Sequence, residues 1–374
     1  MRDVPALHAG YNAQMAVPLT QREFKRILLI KPSSTGDVVQ ALPILDGLRR
    51  RYPSAYIAWL VANPFVNLVE GHPALDEIIP FDRKRFGRLG RNLTVSIDFV
   101  RYVLSLRRRG FDLVVDLQGL FRSGFFARVT GAATRIGPAN SREVAWIFYT
   151  HRYPVETMES HSIDRMWAAA DLLGFGQDAM TFRLPITDAD RAAARRLLVE
   201  SGVDPDRDYA VVFPGARWET KVWPAERFAA VIDGLADEAG LPAVLAGSGS
   251  QGETCDRVST AAKHDAPNLA GKTTLREVSA LIERAAVVIT NDSGPMHVTD
   301  ALGRPLVALF GPTNPVRTGP YHQPEAVVRV DLPCSPCYLK RLDRCPHQHA
   351  CSVDLSVERV VDAAMAALRR TEKT

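Results

Sequence analysis

Short apolar runs alternate with longer amphipathic stretches along nearly the whole chain, in the repeating order strand, helix, strand. The first run, Arg26-Ile-Leu-Leu-Ile-Lys31, is apolar at four successive positions. Such a run suits a parallel strand buried on both faces. A polar turn and a helix from about Asp37 to Arg51 are predicted next, then strands at Ala55–Val61 and Glu77–Pro80. Ile97–Arg109 has helical spacing, and Phe111–Asp116 reads as a strand again. A second series starts after Pro185. It predicts helices at Asp188–Gly202, Ala225–Ala239, Leu275–Arg284 and Met296–Leu302, and an amphipathic helix at Val357–Arg369. Its strands fall at Tyr209–Phe213, Pro242–Ala246, Val287–Thr290 and Pro305–Phe310. Alternation of this kind implies parallel sheets with helices on both faces. Two such series in tandem imply two Rossmann-like α/β/α domains facing a cleft, with ligands at the carboxyl ends of the strands.

The length of 374 residues fits two domains. The expected division is a loose extension over 1–24, a first domain over 25–185 and a second over 186–374. The second carries a Cys-rich segment at 334–351 and the terminal helix. A formal charge of +4 does not argue for nucleic acid. The placement of charge says more. Arg83, Lys84, Arg85, Arg88 and Arg91 cluster, as do Arg107, Arg108 and Arg109, and Arg122, Arg128 and Arg135 follow. These form either a solvated surface or a basic face for a phosphorylated partner or an anionic membrane. No run approaches the ~20 apolar residues that cross a bilayer, and Met1–Arg22 lacks the apolar core of a secretory signal. The expected location is the cytoplasm.

Three strand-end turns carry the candidate chemistry. Lys31-Pro-Ser-Ser-Thr-Gly-Asp37 follows the first strand and opens a helix. Gly36 permits close approach of a ligand, and Asp37 is placed either to cap the helix or to take a proton from an attacking hydroxyl. In the second turn, Gly215 and Ala216 leave room at a strand end, and Lys221 precedes a Trp-Pro helix start. That lysine is either a surface residue or a partner for a diphosphate. In the third, Asp292, Ser293 and Gly294 open a helix whose amides suit a phosphate, with His297 on its first turn. Gly247-Ser-Gly-Ser-Gln-Gly252 matches the G-x-G-x-x-G dinucleotide pattern, but far from the first βα unit and without a clear acidic partner. It reads as a loop beside a donor nucleotide, with Glu253 in reach of a ribose. Asp188-Ala-Asp190 and Asp206-Arg-Asp208 sit at turns and helix starts, so neither reads as a metal–diphosphate site. Cys255 stands alone. Cys334, Cys337, Cys345 and Cys351 form C-x2-C-x7-C-x5-C, which allows a structural zinc or iron–sulfur site as well as plain or redox-labile thiols.

Taken together, these motifs resemble glycosyltransferase family 9, the ADP-heptose:lipopolysaccharide heptosyltransferases. The likeness runs from about Lys25 to Leu368. It rests on the stretch from Arg26 through Lys31-Pro-Ser-Ser-Thr-Gly-Asp37 to Pro43, on Asp116-Leu-Gln-Gly119, on Lys221-Val-Trp-Pro224, on Asn291-Asp-Ser-Gly-Pro-Met-His297, and on Phe310-Gly-Pro-Thr313. The Cys334–Cys351 segment is similar to one in many members. The resemblance implies a GT-B fold, with the acceptor on the first domain and the nucleotide sugar on the second. It implies inverting transfer without an essential metal. Asp37 then matches the general base and Lys221 the diphosphate-binding lysine. Asp292, Ser293, Gly294 and His297 match the donor-binding turn. Gly215 and Ala216 stand where some members carry hydroxyls, which leaves that task to backbone amides. Ser34, Thr35, Gly36, Gln118, Arg122 and Arg128 are the expected acceptor contacts. The implied partners are a nucleotide-sugar donor, ADP-heptose, and a lipid-linked core oligosaccharide, met at the inner-membrane surface by a peripheral protein. Two rival readings remain at this point: an oxidoreductase using Gly247–Gly252, and a non-catalytic sugar-nucleotide sensor.

Overall fold

The structure, a computed structural model, describes residues 17–155 and 157–371. Most of the expected N-terminal extension lies outside the described residues. Leu19 and Phe24, at its end, are buried in the core.

Six strands form the first sheet: β1 (Arg26–Ile30), β2 (Tyr56–Ala62), β3 (Glu77–Phe81), β4 (Leu113–Asp116), β5 (Thr134–Pro138) and β6 (His151–Tyr153). Their order is β3-β2-β1-β4-β5-β6, all parallel. The direction of travel across the sheet reverses between β1 and β4. In doubly wound sheets that reversal opens a crevice at the carboxyl ends of the strands. The five strands of the second sheet are β7 (Ala210–Phe213), β8 (Ala243–Leu245), β9 (Val287–Asn291), β10 (Leu306–Phe310) and β11 (Val327–Arg329), in the parallel order β11-β10-β9-β7-β8. Here the reversal falls between β7 and β9.

Alternate strand residues feed different cores, as period-two geometry requires. Ile27 and Leu29 join a cluster with Val38, Leu42 and Leu45 of helix Thr35–Arg51. Leu28 and Ile30 join another with Leu106 and Phe126, from helices Leu93–Arg108 and Phe121–Val129. The same rule splits Val211 from Ala210 and Val212 in the second sheet. The helix Val357–Thr371 closes the outer side there, through Val360, Val361 and Ala364. The first cluster holds residues from both sheets, among them Val115 of β4 and Val288 of β9. The two halves therefore share one apolar core where helix Thr35–Arg51 packs on helix Gly294–Ala301.

Among the described residues no helix is long and apolar enough to cross a membrane. The Asp188-Ala-Asp190 motif has a structural use. Thr187 and Asp190 form a reciprocal capping box at the start of helix Asp188–Glu200. Thr187→Ala is expected to cost about 0.5–2 kcal/mol, read as a lower urea midpoint with an unchanged m-value.

Candidate active site

Both reversal points open on one cleft of about 980 Å³ between the halves. Ser34, Thr35, Gly36 and Asp37 line it from the end of β1. Opposite them lie Gly215, Ala216 and Lys221 after β7, Gly247 after β8, and Asp292, Ser293, Gly294 and His297 after β9.

Asp37 occupies the third position of helix Thr35–Arg51, where the chain bends back on itself. The N–H and Oγ–H of Ser34 both donate to its Oδ2, at 2.6 and 2.9 Å. The capping reading is therefore correct for one oxygen of the carboxylate. The other, Oδ1, lies 3.0 Å from Nζ of Lys31, and the Asp37 side chain keeps 38% of its surface exposed. Lys31 is itself buried at the end of β1, and its ammonium also donates to the Leu117 carbonyl at 3.3 Å. Seclusion in the cleft pushes the Asp37 pKa up, but the Lys31 charge and the Ser34 hydrogen bonds outweigh it, and the net shift is downward. The carboxylate is thus held ionised through neutral pH, and is lost only as the pH falls below the ordinary carboxylate range. Lys31→Met removes the opposing charge and leaves the burial. It is expected to raise the Asp37 pKa, followed as an upward move of the carboxyl carbon titration by NMR. An unmoved titration would remove Lys31 as the cause.

Lys221 sits in a short turn, Glu219–Lys221, with its ammonium 4.7 Å from the centroid of the Trp218 ring. Nζ pairs with Asp292 Oδ2 at 2.5 Å, and the same oxygen accepts the Thr313 hydroxyl. Asn291 fixes the two strand ends relative to each other. Its amide donates to the Pro214 carbonyl at 2.8 Å, and its oxygen accepts the Trp223 N–H at 3.3 Å. The turn after β7 is therefore tied to the turn after β9, which places Lys221 over Asp292.

The halves meet at their two helix starts. A Cβ on Gly36 would fall 2.3 Å from His297 Cδ2, and one on Gly294 would fall 2.8 Å from Thr35 Cβ. Each contact needs a glycine on one side. His297 Nδ1 lies 3.2 Å from Gln40 Nε2, and Gln40 Oε1 accepts the Ser162 hydroxyl at 2.8 Å. With the Gln40 oxygen so engaged, its amide donates to Nδ1, which leaves the imidazole hydrogen on Nε2. Burial lowers the His297 pKa, so the ring is neutral where it lines the cleft.

Four expected contacts are not brought to this cleft. Glu253 is exposed on the first turn of helix Gly252–Ala261, whereas Gly247, Ser248, Gly249 and Gln251 of the preceding loop line the cleft. Gln118 sits in a turn closed by Asp116, whose Oδ1 accepts the Gln118 N–H at 2.8 Å. Arg122 lies over the Phe81 ring, 5.8 Å from its centroid, and Arg128 is exposed on the last turn of its helix. Lys31, Gln40, Arg165 and Arg317 surround the site and were missed as candidates. Arg165 and Arg317 face the same cleft, and burial, then the neighbouring Arg317 charge, lowers the Arg165 pKa. Arg317 Nε is buried without a hydrogen-bond partner. Of these, only Lys31 carried a readable signal, as a lysine closing a buried strand just before the aspartate turn.

The Cys-rich segment brings its four thiols close enough that Cys334, Cys337 and Cys345 act electrostatically on Cys351. Cys334, Cys337, Cys345 and Cys351 are free thiols, and among the described residues no group of three or more His, Cys, Asp or Glu side chains is arranged to hold a metal ion. Cys337 is exposed, whereas Cys351 is buried against Gly311, and burial, then the neighbouring Cys337, Cys345 and Cys334 thiols, push its pKa up to about 11. The lone Cys255 is a core residue.

Residues 100–348 match the model of glycosyltransferase family 9 (heptosyltransferase). Lipopolysaccharide heptosyltransferase 1 of Pseudomonas aeruginosa is 29% identical over 318 residues, covering 84% of this chain and 86% of its own. Lipopolysaccharide heptosyltransferase 2 of Escherichia coli is 29% identical over 364 residues, covering 93% and 99%. The solved structure of the E. coli ADP-heptose lipopolysaccharide heptosyltransferase II superposes with a TM-score of 0.73 at 26% identity, over 93% of this chain and 99% of that one. The expected GT-B fold is therefore present, and the protein is a glycosyltransferase. A match over most of the sequence, on a fold whose two strand reversals share one cleft, makes this chain a member of glycosyltransferase family 9.

Proposed function

We propose that this protein transfers a heptose from ADP-heptose onto a lipopolysaccharide core acceptor, with inversion at the anomeric carbon. The observation that carries the reading is the sharing of one cleft by Asp37, from the first half, and the Lys221–Asp292 pair, from the second. An acceptor hydroxyl is a poor nucleophile until a base takes its proton. Asp37 Oδ1 is the ionised group in position to do so. The hydroxyl oxygen forms its bond to the anomeric carbon as the bond from that carbon to the diphosphate oxygen breaks. The proton passes to Asp37, and the bonding pair leaves with ADP. The charge growing on the diphosphate is met by Lys221 and by amides at the start of helix Gly294–Ala301. Gly215 and Ala216 allow the diphosphate to approach the backbone. The neutral His297 supplies an N–H donor between the two substrates. Transfer needs no metal in this scheme, because the lysine supplies the charge.

The first half, 25–185, takes the acceptor in this reading, and the second, 186–374, takes the donor. A lipid-carried acceptor implies a cytoplasmic protein that visits the inner-membrane surface. The test is release of ADP from ADP-heptose in the presence of core acceptors of defined length, with the anomeric configuration of the product read by NMR. No acceptor-dependent ADP release would end the heptosyl reading, and a retained configuration would end the direct displacement.

A further inference from the structure

Helix Leu93–Arg108 is apolar on two opposite faces, and folding uses only one of them. Val95, Phe99, Tyr102 and Leu106 turn inward. Val95 and Leu106 are buried, while Phe99 and Tyr102 pack on Phe126 at centroid distances of 6.3 and 5.9 Å. A second stripe, Leu93, Ile97, Val100 and Leu104, repeats the same i, i+4, i+7, i+11 spacing two residues out of step. At about 100° per residue this lies on the far side of the helix. These four side chains are 78%, 44%, 55% and 44% exposed. A stripe that contributes nothing to the core needs another reason to be apolar.

Charge identifies the occupant. Between Arg83 and Arg109 there are nine Arg or Lys and a single acid, Asp98. Asp98 is already engaged by Arg85 and Arg101. Arg101 and Arg108 flank one side of the stripe and Arg107 the other, while Arg88 and Arg91 precede its first leucine. An apolar stripe bordered by cations suits an interface of acyl chains and anionic headgroups.

We propose that this helix docks the protein on an anionic phospholipid bilayer, with Leu93, Ile97, Val100 and Leu104 entering the acyl boundary and the flanking arginines meeting headgroup phosphates. The inference deepens the heptosyltransferase reading by naming the surface on which the membrane carrying the acceptor is met. The helix begins after β3, at the same edge of the parallel sheet from which Asp37 leaves β1.

The test is sedimentation of the full chain with phosphatidylcholine vesicles, with and without phosphatidylglycerol, alongside ADP release on a lipid-free core acceptor. The wild type is expected to sediment with the anionic vesicles only, and less so in high salt. Leu93→Ser, Ile97→Ser, Val100→Ser and Leu104→Ser together are expected to weaken partitioning by about ten-fold or more, with an unchanged thermal midpoint and unchanged turnover on the lipid-free acceptor. Arg88→Gln with Arg91→Gln is expected to lose about five-fold per charge. Equal sedimentation of wild type and the four-serine variant overturns the proposal. So does a wild type that ignores anionic vesicles but forms a dimer broken by the serines. Turnover without sedimentation sinks the docking surface and leaves the transferase standing. Serine-sensitive sedimentation without turnover does the reverse.

Discussion

Asp37→Asn is expected to lower turnover about 10²–10⁴-fold while ADP-heptose still binds. The range is what a positioned general base contributes. Asn keeps the size of the side chain and one oxygen able to accept from Ser34, so the helix start survives. The replacement removes the charge and the ability to take a proton. Asp37→Ala adds the loss of a capping interaction, about 1 kcal/mol of stability, so Asn separates chemistry from folding more cleanly. Single-turnover ADP release at saturating donor is the measurement. A rate within a few-fold of wild type would take Asp37 out of the reaction. The acid limb of the wild-type pH profile should lie below the ordinary carboxylate range, because the folded-state pKa of Asp37 is depressed. Turnover therefore holds as the pH rises toward neutrality, and falls only as acid protonates the pair formed with Lys31.

Lys221→Ala is expected to weaken donor binding and to slow transfer by about 10²–10³-fold, the usual loss when a group facing developing charge is removed. It also leaves Asp292 buried with only the Thr313 hydroxyl. Removing one member of a buried pair costs about 3–5 kcal/mol, so a fall in activity could be mistaken for a fall in folded protein. The double variant Lys221→Ala/Asp292→Asn resolves this. It should recover most of the stability, because the orphaned charge is gone, and none of the transfer rate. Recovery of both would mean that Lys221 acts only through the fold. Wild-type kinetics in the single variant would refute its role outright.

The pattern of apolar runs was enough to read the two sheets, because strands buried on both faces leave unmistakable four- and five-residue blocks such as Ile27–Ile30 and Leu306–Phe310. Elements whose signal is diluted escaped it. Strand β5, Thr134–Pro138, mixes Arg, Gly and Pro into an edge-side position, and β6 has only three residues. Helix Ser162–Leu173 went unread although it packs on helix Thr35–Arg51. The turns holding Asp37, Lys221 and Asp292 were legible because each joins a strand end to a helix start. Gln118, Arg122, Arg128 and Glu253 were placed by nearness in sequence to such turns. That rule leaves all four outside the cleft lining. Lys31 pairs within its own turn, whereas Arg317 faces the cleft from the far side of the fold, which no local window of sequence displays.

The apolar seam beneath the two halves bears on any attempt to recombine this enzyme with another. A hybrid joined near residue 185 would inherit one partner's Val38, Leu42 and Leu45 and the other's Met296 and Val298, all members of the same packed cluster. Exchange of sugar preference by swapping C-terminal segments therefore requires the grafted piece to carry a matching set of seam side chains, or the recipient helix Thr35–Arg51 to be redesigned with it.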